Sequence, residues 1–314
     1  MTRIYLFAIT LFSLTSCSIK SVGQRQETIY LNSGDSSANK YIIIYPNKIS
    51  WTGFMFLIPS FGETPENVLT QTDLPTLAAQ KGILTIIPTF KTGIQSFGVD
   101  SLTQQSFKEI LGNVVSRHKL IDKHFYVGGF SIGGSCAVKF AELAIKENYK
   151  IKPTAVFAID PPLDFERFYN SAKRNVRLSV SNNPNQEAVY FIDRIEKEIG
   201  GTPQTSLTKF YKISPYSFSD TTQTAIKSLI KTPIKFFTEP DINWWLTQRG
   251  NDYSNMNSLD QAAMINELTR FGNNNATLVV TTNKGFRKPD NRRHPHSWSI
   301  AEPTELIKWL LEQK

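Results

Sequence analysis

Phe125-Tyr126-Val127-Gly128-Gly129-Phe130-Ser131-Ile132-Gly133-Gly134 is the stretch from which the rest of the chain can be read. Phe125–Val127 has the apolar, aromatic character of a strand and runs into a glycine pair. From Ile132 to Glu147 the spacing turns helical, with Cys136, Phe140, Leu143 and Ala144 on one face. Ser131 therefore sits at a strand-to-helix turn, inside Gly129-x-Ser131-x-Gly133. Such a turn holds its serine in a strained backbone state, and its neighbours must be small. The start of the helix offers free amides to negative charge developing nearby.

The same alternation extends in both directions. Upstream, Thr28–Leu31, Tyr41–Tyr45, Phe54–Ile58 and Leu84–Ile87 read as strands. Residues 103–117 carry Phe107, Ile110, Leu111, Val114 and Val115 at helical spacing. Downstream, Ala155–Ile159 is a strand ended by Asp160-Pro161-Pro162. The pattern then breaks. Between about 163 and 231 there is no convincing strand, and helices are expected around Val189–Ile199, Leu207–Tyr211 and Ala225–Ile230. Ile234–Thr238 and Leu278–Thr281 resume the strands, with helices at Asn257–Phe271 and Glu305–Leu311. Strands separated by helices imply a mostly parallel sheet covered on both faces, with chemistry at the carboxyl ends of its strands.

On these residues the chain resembles the α/β-hydrolase superfamily from about residue 28 to 314. The resemblance implies an α/β-hydrolase fold with a helical cap inserted at about 163–231. It also implies an acid and a histidine that follow the serine in chain order. Only His294 and His296 follow Ser131, and both fall between the last strand and the last helix. His296-Ser297-Trp298, just ahead of that helix, resembles the family's histidine segment and makes His296 the expected base. His294, which precedes a proline, reads as a surface residue. For the acid, Pro233 opening Ile234–Thr238 and Asp241 beyond it match the family segment, so Asp241 is favoured. Glu239 is a near alternative, and Asp160 is another because some relatives place their acid there. The oxyanion amides would be Ile132 N–H and, by position, Phe61 N–H in Pro59-Ser60-Phe61-Gly62. This last segment departs from the family's His-Gly-x-Gly in its first two places. Trp244-Trp245 could line a pocket or be core, and Phe165, Phe168 and Tyr169 could be lid or packing.

Composition narrows the alternatives. The chain has 314 residues, 40% of them hydrophobic, which excludes wholesale disorder. Two cysteines exclude a disulfide scaffold, and four histidines leave little room for a multi-His metal centre. No cofactor and no metal are expected. The formal charge of +8 comes from scattered Lys and Arg, with Arg292-Arg293 the notable doublet, so no nucleic-acid partner is expected.

The N-terminus carries an address. Arg3 precedes an 11-residue apolar run, Ile4–Leu14, too short to span a bilayer but suited to a secretory signal. Leu14-Thr15-Ser16-Cys17 resembles the lipobox of bacterial lipoproteins. The resemblance implies a signal peptide over 1–16, acylation of Cys17, and a polar tether over 17–27. The protein would then be held on a lipid bilayer in the bacterial cell envelope, facing the periplasm or the cell surface. The expected activity is that of a serine hydrolase on carboxylic esters, small or acylated. A peptidase or amidase of the same fold, or a non-catalytic binding lipoprotein, are the competing readings.

Overall fold

The computed structural model describes residues 25–313 apart from 33, 35, 36, 48, 49 and 180–184. Residues 1–24, with the expected signal and Cys17, lie outside the described residues. In chain order, β1 (Gln26–Tyr30), β2 (Lys40–Ile44) and β3 (Gly53–Ile58) are followed by α1 (Pro65–Gln71) and α2 (Leu74–Gln80). Next come β4 (Ile83–Thr89), α3 (Ser101–His118), β5 (His124–Phe130), α4 (Ile132–Lys146) and β6 (Ala155–Ile159). Four helices then intervene: α5 (Phe165–Leu178), α6 (Gln186–Ile199), α7 (Pro203–Ile213) and α8 (Thr224–Lys227). The chain resumes with β7 (Ile234–Thr238), α9 (Ile242–Arg249), α10 (Ser258–Arg270) and β8 (Ala276–Val280). A two-stranded hairpin, β9 (Phe286–Arg287) and β10 (Arg292–Arg293), precedes α11 (Pro303–Glu312).

β1–β8 form one sheet in the order β1-β2-β4-β3-β5-β6-β7-β8. β1 and β2 are antiparallel to their neighbours, and all pairs from β4 to β8 are parallel. Alternation of side chains explains how this sheet is buried on both faces. On β3, Phe54, Phe56 and Ile58 join a core with Phe107, Phe140, Met264 and Leu268 from α3, α4 and α10. Met55 and Leu57 point the other way, into a core with Leu74, Ala78, Leu306 and Leu310 from α2 and α11. Each such side chain contributes roughly 1.5–3 kcal/mol of burial free energy.

Some expectations shift. β1 begins at Gln26, so Gln26 and Glu27 pair with Ile44 and Ile43 rather than belonging to a tether. α1, α5 and α9 are helices that spacing alone does not anticipate. In α5 the buried positions are Phe165, Tyr169 and Ala172, one stripe of an otherwise charged helix. Phe165 and Tyr169 join Phe97, Val99, Ile132, Ile195, Ile199 and Phe210 in a third core. α6 ends at Gly200 with φ 74°, the left-handed closure that glycine allows.

Candidate active site

Ser131 links β5 to α4 at φ 52° and ψ −123°, a region that a residue with a Cβ seldom adopts. Three backbone bonds hold it there. Ser131 N–H donates to Ile159 O at 2.7 Å, and Ser131 O accepts from Gly134 and Ser135 N–H at 2.9 and 3.2 Å. The turn is wedged against the end of β3. A Cβ on Gly133 would stand 2.2 Å from Ile58 O, and one on Gly129 would stand 2.6 Å from the Gly133 carbonyl carbon.

Strand register sets the acid beside the serine. β5 and β6 pair Phe130 with Ile159, so Ser131 and Asp160 leave the sheet side by side. Asp160, at φ 48°, is buried and directs its carboxylate at His296. The His296 Nδ1 to Asp160 Oδ2 distance is 2.6 Å. Asp160 Oδ1 accepts from Thr238 Oγ1 at 2.8 Å and Gln261 Nε2 at 3.0 Å. Asn257 Nδ2 donates to the Asp160 carbonyl at 2.9 Å. The carboxylate is thus oriented from β7 and α10 before it meets the imidazole. The His296 ring lies 4.5 Å, centroid to centroid, from Phe130, the residue before Ser131.

The expected pairing of Asp241 with His296 is corrected by this geometry. Asp241 caps α9, accepting from Trp244 N–H at 3.1 Å, and it pairs with Arg293 at 2.7 Å. Its carboxylate is consumed at a helix N-terminus, where negative charge is stabilised. Glu239 does not reach His296 either. It pairs with the same Arg293 at 2.5 Å and accepts from Lys284 N–H at 2.8 Å, pinning the loop after β8. Asp160 stands directly after an apolar strand and before two prolines, but Glu239 directly follows a strand too, so the local signal does not choose between them.

His294 is buried, not a surface residue. It accepts the His296 N–H at its Nδ1, at 3.2 Å, and packs on Trp244 and Trp245 with centroids 4.8 and 5.7 Å away. The two tryptophans, half-buried, therefore brace the histidine loop from α9. Burial, with Arg287 and His296 adding to it, pushes the His294 pKa down to about 3. Between about pH 6.5 and 3 the unfolded chain binds a proton there and the folded chain does not. Stability from this site is full above pH 6.5 and falls with pH through that window. The loss at pH 5 is expected to be about 2 kcal/mol. His294→Gln should show a shallower acid dependence in urea unfolding at pH 7 and pH 5, and equal dependences would refute the assignment.

Pro59-Ser60-Phe61-Gly62 follows β3 and lies over the elbow. Ser60 N–H donates to Glu63 Oε2 at 2.8 Å, and Gly62 N–H donates to Ile94 O at 2.7 Å. Among the described residues the Phe61 and Ile132 amides have no such backbone partner. Glu63 also accepts from Trp298 Nε1 at 2.9 Å, tying this loop to the histidine loop. Burial raises the Glu63 pKa, against the bonds from Ser60 and Trp298.

Aromatic side chains gather around Phe61, against the core that holds Ile132. Phe61 packs on Phe97, Phe191 and Tyr190 at 5.5, 5.6 and 6.0 Å. Phe168 packs on Phe191 at 5.3 Å. An Arg167–Asp260 ion pair fastens α5 to α10. Among the described residues no group of three or more His, Cys, Asp or Glu is arranged to hold a metal ion.

Comparison with family models and with curated proteins finds no match. Solved structures do resemble the chain. An S-formylglutathione hydrolase from Agrobacterium tumefaciens is 12% identical with a TM-score of 0.60, over 93% of this chain and 96% of that one. Carboxyl esterase 2 from Tuber melanosporum is 12% identical with a TM-score of 0.58, over 93% and 87%. Fluorophosphonate-binding serine hydrolase F from Staphylococcus aureus is 13% identical with a TM-score of 0.52, over 92% and 99%. At such identities the likeness is one of fold, and sheet order, elbow and neighbours agree: this chain has the α/β-hydrolase fold, with esterases and other serine hydrolases as its structural neighbours.

Proposed function

We propose that the protein is a serine hydrolase that cleaves carboxylic esters through an acyl-enzyme, with Ser131, His296 and Asp160 as its triad. The observation that carries this reading is the 2.6 Å contact between His296 Nδ1 and Asp160 Oδ2, beside the strained turn that presents Ser131. A proton on Nδ1, donated to Asp160, leaves Nε2 with its lone pair for the serine hydroxyl. Ser131 Oγ attacks the acyl carbon while Nε2 takes the hydroxyl proton. The carbonyl π pair moves to oxygen, and the Ile132 and Phe61 amides stabilise that oxyanion. The tetrahedral species collapses, the C–O bond to the alcohol breaks, and His296 returns the proton to the departing oxygen. Water then repeats the sequence on the acyl-enzyme and frees the acid.

A fluorophosphonate probe tests this. Its phosphorus should be bonded by Ser131 Oγ with loss of fluoride, giving covalent labelling of the wild type and none of Ser131→Ala. A wild type that stays unlabelled would favour the binding-protein reading, and labelling that survives in Ser131→Ala would place the nucleophile elsewhere. We also propose, on Leu14-Thr15-Ser16-Cys17 alone, that Cys17 is acylated and holds the protein on a bilayer of the cell envelope. Cys17→Ala should move the protein from the membrane to the soluble fraction, and membrane retention of that variant would defeat the anchor.

A further inference from the structure

A cleft of about 500 Å³ opens beside the candidate site, and its two walls differ in character. One wall adjoins the site: Ser60, Phe61 and Glu63 of the loop after β3, and Phe130 next to Ser131. The other is the β9–β10 hairpin, which contributes Arg287, Lys288 and Arg292. The hairpin is inserted between β8 and the histidine loop, so it sets cations in the same cleft as Phe61 and Phe130, the residue before Ser131.

The charges on this wall are unevenly compensated. Lys288 pairs with Asp73 at 3.3 Å, and Asp290 on the rim accepts the Arg292 amide at 3.3 Å. Arg287 is half-buried, and its guanidinium donates to the carbonyl of His296, from Nη2 at 3.1 Å and Nε at 3.4 Å. Among the described residues neither Arg287 nor Arg292 has a carboxylate at ion-pair distance. Burial and the nearby Arg249 and Arg292 hold the Arg287 pKa below its usual value, with Glu63 and Glu187 acting weakly against them. A half-buried guanidinium without a counter-charge is unfavourable in the empty site and favourable once an anion arrives. Its planar fork suits the paired oxygens of a carboxylate or a phosphate.

We propose that Arg287 and Arg292 hold an anionic substituent of the substrate, so that the enzyme prefers acidic esters over neutral ones of the same shape. This rests on the hydrolase reading above. The shared chemistry is an oxyanion, and the site leaves open whether it is borne on the acyl or the alcohol side.

Matched substrates test it on the intact protein at low ionic strength. Mono-4-nitrophenyl glutarate against 4-nitrophenyl butyrate places the charge on the acyl side. 4-Acetoxybenzoate and 4-acetoxyphenyl phosphate against phenyl acetate place a carboxylate or a phosphate on the leaving group. The charged member of at least one pair should show a kcat/KM about tenfold or more above its neutral partner. Salt should erode the preference. In Arg287→Gln/Arg292→Gln the ratio should fall to within about twofold, and Arg287→Lys should retain part of it. Because Arg287 also supports the His296 carbonyl, the readout is the ratio and not the absolute rate, since misplacing His296 slows both substrates alike. Turnover of neutral esters with no preference in any pair, or a preference that survives the double substitution, would overturn the anion site and leave the hydrolase standing. No turnover of any ester together with no fluorophosphonate labelling would instead bring down the hydrolase reading, and the anion site with it.

Discussion

Asp160→Asn is expected to lower kcat/KM on a neutral nitrophenyl ester by roughly 10³–10⁴-fold, while Asp241→Asn changes it by less than about fivefold. The amide keeps the size of the carboxylate and can still accept from Thr238 and Gln261 at its oxygen. Its nitrogen would then face His296 Nδ1 and donate to it, which reverses the tautomer and places the proton on Nε2, where the lone pair is needed. The imidazolium formed during attack also loses its counter-charge. Asp241 has a different task. Its carboxylate caps α9 and shares Arg293 with Glu239, and asparagine is an equally good cap. Steady-state kinetics of the two variants decide between the strand ends. A large loss in Asp241→Asn with little in Asp160→Asn would return the acid to the end of β7.

Gly133→Ala is expected to destabilise the protein by about 3 kcal/mol, lower Tm by roughly 6 °C and abolish fluorophosphonate labelling. The added carbon would stand 2.2 Å from Ile58 O and 2.4 Å from Pro59 O. Both are backbone atoms at the end of β3 and cannot swing aside as a long side chain would. The elbow must lift off the sheet, which carries Ser131 and the Ile132 amide away from the loop at Phe61. Gly112→Ala supplies the contrast. Gly112 is on the exposed side of α3, with nothing within 4 Å of the place a methyl group would take, so alanine there should stabilise by roughly 0.5–1 kcal/mol. If thermal unfolding shows Gly133→Ala as stable and as readily labelled as the wild type, the tight contact between elbow and β3 is wrong.

Much of the architecture is legible because its causes are local. Apolar runs such as Phe54–Ile58 and Ala155–Ile159 are strands buried on both faces, and period-2 alternation divides their side chains between two cores. The elbow is legible for a related reason. A serine between glycines, after a strand and before a helix, is a steric statement made by adjacent residues, and its φ of 52° answers to it. α5 escaped because its apolar stripe is thin, and α9 because none of its residues is buried. His294 escaped because its burial comes from Trp244 and Trp245, about fifty residues away in the chain.

The acid shows where local reading ends. Asp160, Glu239 and Asp241 all follow buried strands, and each is a plausible partner for a histidine by order along the chain. From its residues alone this chain specified a mostly parallel sheet, a serine on a strained turn and a histidine late in the sequence. Which carboxylate faces that histidine was decided only by three-dimensional packing. Arg293 on the hairpin pairs with both acids after β7, whereas Thr238 and Gln261 orient the one after β6. The reason is physical: a carboxylate settles with whichever donors the folded chain brings within about 3 Å, and strand register and a distant hairpin set those distances.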